Sequence, residues 1–308
     1  MHVFRGTPHQ PLPQSALTIG NFDGLHLGHQ SMLARLNSAA KERGLASVVM
    51  TFEPHPREVF TPATAPARLT SLREKIELLS LAGVDYLIVQ RFNAKFASFS
   101  AEHFRDHIIS QQINAKYVLV GDDFRFGAKR AGDFELLKQQ NQFDCDSLIT
   151  HEFQGERVSS TAVRLALQNG EMAHAARLLG HPYSISGRVV GGEQLGRKFG
   201  FPTANIQLKH NRPPLLGIFV VEIHGLERTY QGVASLGFRP TIHGGDLTPK
   251  LEVHIFDFDR VIYRQHLRID FLAKLRDEEK YPDFDTLIAQ IGVDCEQARA
   301  WFAANKPN

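Results

Sequence analysis

The apolar pattern of this chain changes near Gly180-His181-Pro182, and that change limits the folds open to it. Before this point, short apolar runs alternate with stretches of helical periodicity, which favours a parallel sheet with helices on both faces. After it, short alternating runs are broken by glycine and proline, which favours an antiparallel barrel or sandwich. Because 308 residues are many for one core, we expect two domains, at residues 1–182 and 183–308.

The predicted elements follow this division. Strands are predicted at Ala16–Gly20, Ala46–Phe52, Val84–Gln90, Ala115–Gly121 and Cys145–Thr150, and helices at Gly28–Arg43, Ser71–Ala82, Ala101–Gln111 and Gly132–Asn141. Two closely spaced helices are then predicted, ending near Gln168 and Leu179. In the second half, strands are predicted at Tyr183–Val190, Gly217–His224, Gly232–Leu236, Leu251–Phe256 and Leu267–Phe271, before a helix at about Phe284–Asn305 that covers one face of the barrel.

Composition excludes several classes of protein. Lys and Arg number 35 against 33 Asp and Glu, so the chain lacks the basic surplus of a nucleic-acid binder. Only two cysteines occur, far apart, which indicates a reducing compartment and no disulfide framework. We see no signal peptide and no apolar run long enough to span a bilayer. A cytoplasmic protein that binds neither nucleic acid nor membrane is expected.

The segment TIGNFDGLHLGHQ, residues 18–30, places His26 and His29 at a helix start, directly after a strand and a glycine-bearing turn. Free backbone N–H groups and the positive end of the helix dipole form a phosphate cradle in such a turn. Imidazole groups can stabilise charge that develops on phosphoryl oxygens in a transition state. A histidine pair at a helix start can equally serve only for capping and packing, and the isolated motif leaves both interpretations open.

A second cluster of phosphate-binding side chains is predicted at the start of a later helix, after the last strand of the same sheet. It consists of Ser159, Ser160, Thr161 and Arg164. Hydroxyl groups, N-terminal amides and a guanidinium together can hold β- and γ-phosphates. Taken alone, the segment favours an ordinary helix cap followed by a surface arginine.

Together these motifs resemble the HxGH nucleotidyltransferase superfamily. Two further segments, FEPHP at residues 52–56 and GDDFRFG at residues 121–127, make the first half similar to the adenylyltransferase module of prokaryotic bifunctional riboflavin kinase/FAD synthetases. The resemblance implies that His26 and His29 stabilise the α-phosphate of ATP while the phosphate of FMN attacks it and pyrophosphate leaves.

The same resemblance implies the binding residues of the adenylyltransferase site. ATP would contact Gly20, Asn21, Phe22, Asp23, Ser159, Ser160, Thr161 and Arg164, with Mg²⁺ bridging the phosphates. Flavin would contact Pro54, His55, Asp123 and Phe126. From the residues alone, the proline-rich segment could also be a rigid loop, the aspartate a solvated charge and the phenylalanine a core residue.

The stretch GRVVGGEQLGRKFGFPTANI, residues 187–206, carries five glycines ahead of Thr203 and Asn205. These two side chains fall on one face of an extended segment, and their oxygens are hard donors suited to Mg²⁺. No Gly-Lys-Ser/Thr is present, so a P-loop is excluded. Composition alone favours a flexible surface loop for this stretch.

The string GRKFGFPTAN, residues 196–205, resembles the flavokinase fingerprint, and the segments at 232–241, 251–259 and 275–280 extend the resemblance over about 183–300. It implies a six-stranded barrel that phosphorylates riboflavin, with Glu252 as the general base for the ribityl hydroxyl. Thr203 and Asn205 would be metal and ATP-phosphate ligands. The implied ATP contacts also include Gly191, Gly196 and Gly200, and the implied flavin contacts are Tyr263 and Arg276.

Periodicity cannot separate the proposed role of Glu252 from that of a solvent-facing residue, because Leu251, Val253 and Ile255 alternate with it on the other face. The chain also departs from the family pattern, since Arg260 and Arg264 occupy positions where glycine is usual. The resemblance thus predicts a bifunctional enzyme, monomeric or weakly oligomeric, that makes FMN and FAD from riboflavin and ATP. The alternatives are a flavin- or nucleotide-binding protein with one inactive module and, less compatible with the charge balance, an RNA-binding barrel.

Overall fold

The structure, a computed structural model, describes residues 1–148, 152–153, 155–192, 196, 200–209, 212–240 and 247–305. Its contacts divide the chain into two compact units, one formed by Met1–Pro66 with Leu72–Ser159 and the other by Ala67–Ser71 with Ser160–Asn308. This division falls before two helices that the sequence assigns to the first domain. The predicted boundary at residues 182–183 therefore stays a prediction.

The first unit is built on a six-stranded parallel sheet. Its strands are β1 (His2–Arg5), β2 (Ser15–Ile19), β3 (Ala46–Glu53), β4 (Tyr86–Arg91), β5 (Ala115–Gly121) and β6 (Asp144–Leu148), in the order β1-β4-β3-β2-β5-β6. Its helices are α1 (Leu27–Arg43), α2 (Pro56–Phe60), α3 (Leu72–Leu81), α4 (Ala94–Ala97), α5 (Ala101–His103) and α6 (Phe134–Lys138). A short antiparallel pair, β7 (Glu152–Phe153) and β8 (Glu156–Arg157), follows.

Both faces of this sheet are buried. Neighbouring residues of one strand point to opposite faces. Leu17 accordingly packs in one apolar cluster with Ile108, and Ala16 packs in another with Leu36 of α1. Helices therefore cover the sheet on two sides, which confirms the parallel α/β architecture predicted for this half.

One predicted α-helix, Ala101–Gln111, is different in the structure. After α5 the chain continues as a π-helix, Phe104–Gln112, and the N–H of Ile113 donates to the carbonyl of Ile108 at 2.9 Å. Phe104, Ile108, Ile109 and Ile113 are all buried. A π-turn holds more residues than an α-turn. It therefore keeps residues that are five apart, such as Ile108 and Ile113, on one face of the helix.

Other predicted bounds differ by a few residues. The strand predicted at Cys145–Thr150 is Asp144–Leu148, and residues 149 and 150 lie outside the described part of the chain. The helix predicted at Gly132–Asn141 is shortened to α6, because Asp133 caps its start by accepting from the N–H of Leu136 at 3.0 Å.

The second unit contains two helices, a closed barrel and a terminal helix. These elements are α7 (Ser160–Gln168), α8 (Met172–Leu179), β9 (Tyr183–Val190), β10 (Thr203–Ile206), β11 (Gly217–His224), β12 (Tyr230–Pro240), β13 (Leu247–Ile255), β14 (His266–Arg276) and α9 (Phe284–Ala304). The six strands close in the order β10-β13-β12-β11-β14-β9, and all their pairings are antiparallel. This confirms the six-stranded antiparallel barrel.

Apolar residues fill the barrel and also lie on part of its outer surface. Phe219 and Phe271 meet inside it, with ring centroids 5.3 Å apart. Outside, Val220 belongs to a cluster with Ala298 and Phe302 of α9. The terminal helix therefore covers one barrel face, as predicted. Within the described part of the chain, no helix has both the length and the apolar character needed to cross a bilayer.

Candidate functional site

The order of the parallel sheet fixes where a ligand can bind in the first unit. From β2 the chain builds outward through β3 and β4, and it then returns to place β5 on the other side of β2. In such sheets ligands bind outside the carboxyl ends of the strands at this switch point. The Gly20–Asp23 turn follows β2 and the Gly121–Gly127 segment follows β5, so both predicted motifs border this crevice.

The turn after β2 is tightly packed. Phe22 is 1% exposed with φ of 47°, and a Cβ at Gly20 would fit only tightly, because it would lie 3.1 Å from the Phe22 ring. The carbonyl of Asn21 accepts a hydrogen bond from Thr51 Oγ1 at 3.1 Å. Asn21 Oδ1 is buried without a hydrogen-bond partner among the described residues, and Asp23 is 5% exposed. The turn therefore offers a fixed polar surface.

His26 and His29 form one stacked pair. Their ring centroids are 3.7 Å apart at an interplanar angle of 20°, and Phe22 lies 5.0 Å from the His29 ring. His26 caps α1, since its Nδ1 accepts from the backbone N–H of His29 at 3.4 Å. With Nδ1 as acceptor, the ring proton of neutral His26 is on Nε2. The capping role left open by the sequence is therefore present, together with an N–H that remains able to donate.

The surroundings of His29 keep its ring neutral. Burial is the main cause that lowers its pKa well below 6.5, and the nearby His26 and Lys75 lower the pKa further. Its Nδ1 is buried without a hydrogen-bond partner among the described residues. A neutral imidazole has one N–H donor, so His29 can donate a hydrogen bond to an anion without carrying a full charge.

Lys75 of α3 was not singled out by sequence reasoning. It is 4% exposed, and its Nζ lies 3.5 Å from Thr51 Oγ1. Lysine is almost never fully buried in proteins without a reason, so its burial is the signal that points to a function. That signal was not available from the sequence, where this lysine occurs in an ordinary amphipathic helix.

The residues predicted to contact flavin in this unit have local partners. His55 Nδ1 accepts from the N–H of Arg57 at 3.2 Å and caps α2, and the peptide before Pro54 is cis. Asp123 is exposed and pairs with Arg157 at 3.2 Å. Phe126 is 7% exposed, and its ring lies 5.7 Å from that of Phe104. The flavin roles of Pro54, His55, Asp123 and Phe126 stay predictions.

The predicted phosphate-binding cluster lies at the start of α7. The helix begins at Ser160, so Ser159 directly precedes it and Thr161 lies in its first turn, where Thr161 is exposed. Arg164 lies one turn further, and its Nε donates to the carbonyl of Ala67 at 2.6 Å. These residues present hydroxyl groups at a helix N-terminus, the arrangement that favours anions.

In the barrel, two predicted site residues and a serine lie side by side. Asn205 of β10 is the register partner of Glu252 of β13, and Glu252 is also the register partner of Ser235 of β12. Directly opposite residues on one face of a sheet have neighbouring side chains. The row Asn205–Glu252–Ser235 therefore brings a carboxylate between an amide and a hydroxyl.

Charged neighbours surround the row. Lys250 Nζ lies 3.1 Å from Glu252 Oε1, and Ser235 Oγ donates to Glu278 Oε1 at 3.0 Å. Glu278 in turn occupies the space that a side chain at Gly237 would need. The carboxylate of Glu252 is partly exposed and hydrogen-bonded on a rigid strand, which suits a group that takes a proton from a bound alcohol.

The residues present fit a hard cation at Asn205 and Thr203. Asn205 is 8% exposed, and its Oδ1 has no hydrogen-bond partner among the described residues, whereas Thr203 is exposed on the same face of β10. Among the described residues, no three His, Cys, Asp or Glu side chains form a metal cluster. An amide and a hydroxyl oxygen together suit Mg²⁺ that is held mainly by phosphates.

The predicted glycines differ in their surroundings. Gly191 has open space around it, and Gly200 has φ of 85°, which favours glycine. The carbonyl of Gly196 accepts from the N–H of Phe201 at 2.9 Å, so this residue lies at the approach to β10. Residues 193–195 and 197–199 of the predicted fingerprint, and Thr241 of the second segment, lie outside the described residues.

A cavity of about 220 Å³ lies beside Thr203. Its walls include Pro202, Thr203, Phe258 and Tyr263, so it brings one predicted metal ligand and one predicted flavin contact to the same space. Arg276 lies elsewhere on β14, where its guanidinium group is engaged in an ion pair. Its Nε and Nη2 donate to Asp294 of α9 at 2.8 and 2.7 Å. A flavin contact by Arg276 stays a prediction.

A turn predicted to bind phosphate lies at the switch point of a parallel sheet, and the same chain carries a barrel with Glu252 between Asn205 and Ser235. This combination fits the class of two-module transferases that use nucleotides. Family models match both modules, as FAD synthetase over residues 9–162 and as riboflavin kinase over residues 179–302. The chain belongs to the family of bifunctional riboflavin kinases and FAD synthetases.

Individual relatives cover nearly the whole chain. It is 45% identical over 301 residues to the bifunctional riboflavin kinase/FMN adenylyltransferase of Escherichia coli K12, covering 96% of each chain. The protein of the same description from Haemophilus influenzae is 43% identical and covers 98% of this chain and 99% of its own. A crystal structure described as a macrolide-efflux protein from Streptococcus pneumoniae superposes with a TM-score of 0.82 at 31% identity, covering 97% of this chain and 98% of that one.

Proposed function

We propose that this chain makes FAD in two ATP-dependent reactions, phosphorylating riboflavin to FMN in the barrel and adenylylating FMN to FAD in the parallel-sheet unit. The observation that carries this proposal is that each matched segment keeps the group its reaction needs, Glu252 in one and the stacked His26–His29 pair in the other. A carrier protein with one inactive module is the weaker alternative, because neither group is missing.

In the kinase reaction, the 5′-hydroxyl oxygen of riboflavin attacks the γ-phosphorus of ATP, and ADP leaves. The primary alcohol is a poor nucleophile until its proton is taken, and Glu252 accepts that proton. Thr203 and Asn205 would hold Mg²⁺ together with the ATP phosphates, with Gly191, Gly196 and Gly200 along the approach to β10. When bound, the metal ion neutralises charge on the phosphates.

In the adenylyl transfer, a phosphate oxygen of FMN attacks the α-phosphorus of ATP, and pyrophosphate leaves. The attacking group is already ionised, so no general base is needed. His26 and His29 donate hydrogen bonds to the oxygens on which charge develops, and the neutral state of His29 avoids holding the ground state too tightly. We assign the remaining ATP contacts to Gly20, Asn21, Phe22, Asp23, Ser159, Ser160, Thr161 and Arg164.

The flavin would lie against Pro54, His55, Asp123 and Phe126 during adenylylation, and against Tyr263 and Arg276 during phosphorylation. Two free thiols suit a reducing environment, which favours a cytoplasmic location. We expect a monomer or weak oligomer. No part of this function requires nucleic acid or a membrane.

The direct test is to incubate the full chain with riboflavin, ATP and Mg²⁺ and to separate the flavins by chromatography. FMN is expected first and FAD later, and FMN supplied with ATP should yield FAD and one pyrophosphate per FAD. Formation of FMN alone, or of FAD only from added FMN, would favour the alternative with one inactive module. If neither flavin product forms, the proposed function is wrong.

A further inference from the structure

Lys75 is a buried charged residue for which the two reactions above give no role. It lies on α3 and is 4% exposed, whereas Glu74 before it is partly exposed and Glu77, two residues further along the helix, is exposed. Burying an ammonium group is costly unless polar groups surround it. The position of this lysine therefore calls for an explanation beyond helix formation.

Its contacts lead to the turn that follows β2. Lys75 Nζ lies 3.5 Å from Thr51 Oγ1, and Thr51 Oγ1 donates to the carbonyl of Asn21 at 3.1 Å. Thr51 lies near the carboxyl end of β3 and has no exposed surface. A single threonine hydroxyl therefore links the ammonium group on one helix to the backbone of the predicted phosphate-binding turn.

The charge of Lys75 also acts on the histidine pair. The titratable groups that influence His29 are His26, stacked on it from the same helix start, and Lys75, from α3. The His29 ring stays neutral, and the ammonium group of Lys75, whose Nζ lies 3.5 Å from buried Thr51 Oγ1, adds positive charge that acts on it. Such a preorganised field favours a phosphate group whose negative charge is growing.

We propose that Lys75 is a positioning residue of the adenylyl-transfer site, which holds the phosphate-binding turn through Thr51 and supplies a fixed positive charge beside His29. This inference rests on the proposed conversion of FMN to FAD at the same site. It assigns to α3 a part in the reaction that the sequence motifs do not indicate.

The test compares Lys75→Met, which keeps the length of the side chain without its charge, with Lys75→Arg, which keeps the charge. Lys75→Met should lower kcat for FAD formation from FMN by roughly 10²-fold, since small displacements of a reacting geometry cost about that much. Lys75→Arg should recover part of the loss. Lys41→Met, at an exposed lysine of α1, is the matched control and should behave as wild type.

Thr51→Val gives a second, independent measurement, because it removes the hydroxyl and leaves the charge. It should lower kcat less than Lys75→Met, and the double variant should lose less than the product of the two single losses, since both residues act through one contact. If the loss of kcat in the double variant equals the product of the two single losses, Lys75 does not act through its contact with Thr51. If Lys75→Met does not fold, the Thr51→Val and Lys75→Arg results decide.

A purely structural role is separated by titrating the His29 ring by NMR. The pKa of His29 should rise in Lys75→Met and stay low in Lys75→Arg, because only the former loses the charge. An unchanged kcat in folded Lys75→Met, or an unchanged His29 titration, would overturn the inference. Wild-type protein is assayed in parallel: if it makes no FAD, the proposed function itself fails, whereas a wild-type rate in Lys75→Met refutes only this inference.

Discussion

Glu252 and His29 need different protonation behaviour, and their surroundings differ accordingly. Glu252 is to accept a proton, and its carboxylate is partly exposed beside Lys250, at 3.1 Å. His29 is to donate a hydrogen bond without gaining charge, and burial lowers its pKa well below 6.5. At the residue scale, therefore, the two proposed reactions should respond separately to substitution and to pH.

Replacing Glu252 by Gln removes the proton acceptor with little change in shape. Riboflavin phosphorylation should fall by about 10²- to 10⁴-fold, the usual contribution of a general base. FAD formation from added FMN should stay near the wild-type rate. Both rates are measured on the same preparation, and Glu222→Gln, a carboxylate on β11, serves as control. Loss of both activities in folded Glu252→Gln would contradict the assignment.

The low pKa of His29 also predicts how stability depends on pH. In the unfolded chain His29 takes up a proton near its ordinary pKa of 6.5, whereas in the folded chain it stays neutral to a lower pH. Below about pH 6.5 the unfolded state then binds more protons than the folded state. The free energy of unfolding therefore decreases as the pH is lowered, until the pKa of His29 in the folded state is reached. His29→Gln should lose less stability between about pH 7.5 and 5.5.

This change must be measured in the first unit. Trp301 lies in α9, so its fluorescence reports on the second unit. Hydrogen exchange of the buried amides of β2 reports on the first, and wild type and His29→Gln are compared at both pH values. Equal losses of protection in the two proteins would show that His29 does not titrate as described.

At the scale of elements, the sequence predicted most strands and helices because their apolar periodicity reports burial directly. It missed β10, since a four-residue strand that begins with exposed Thr203 carries too short a pattern. The π-helix was predicted as an α-helix, because both have apolar faces and differ only in the spacing of their turns. The role suggested for Lys75 could not be predicted, since it depends on the packing of α3 near Thr51.

Arg264 has a backbone conformation that makes a glycine substitution informative. Its φ is 68°, in the left-handed region, which glycine adopts without a steric penalty. Arg264→Gly should therefore stabilise the second unit by about 0.5–1 kcal/mol. This net gain is the backbone strain that glycine relieves, reduced by the extra conformational entropy that glycine gives the unfolded chain. Arg264→Ala keeps the Cβ and is the matched control. Thermal unfolding followed by Trp301 fluorescence should show a higher Tm for the glycine variant only.

At the scale of the whole molecule, the described contacts form two units, and each contains its own group of predicted site residues: the histidine pair in the first, Glu252 with Asn205 in the second. Of the cluster at α7, Ser160, Thr161 and Arg164 belong by their contacts to the second unit and Ser159 to the first, although the sequence assigns all four to the adenylyl-transfer site. The row Asn205–Glu252–Ser235 of the barrel therefore does not depend on the histidine pair for its own geometry.

This independence predicts that two inactivated chains can complement each other. With riboflavin and ATP, His29→Ala should stop at FMN, and Glu252→Gln should form almost no FMN. An equimolar mixture should make FAD after a lag, because FMN released by the first variant is adenylylated by the second. The lag should shorten as the concentration of the His29→Ala chain rises, since FMN then accumulates faster. If the mixture makes no FAD while each variant still performs its remaining reaction, FMN does not pass freely between chains and the two sites are not independent.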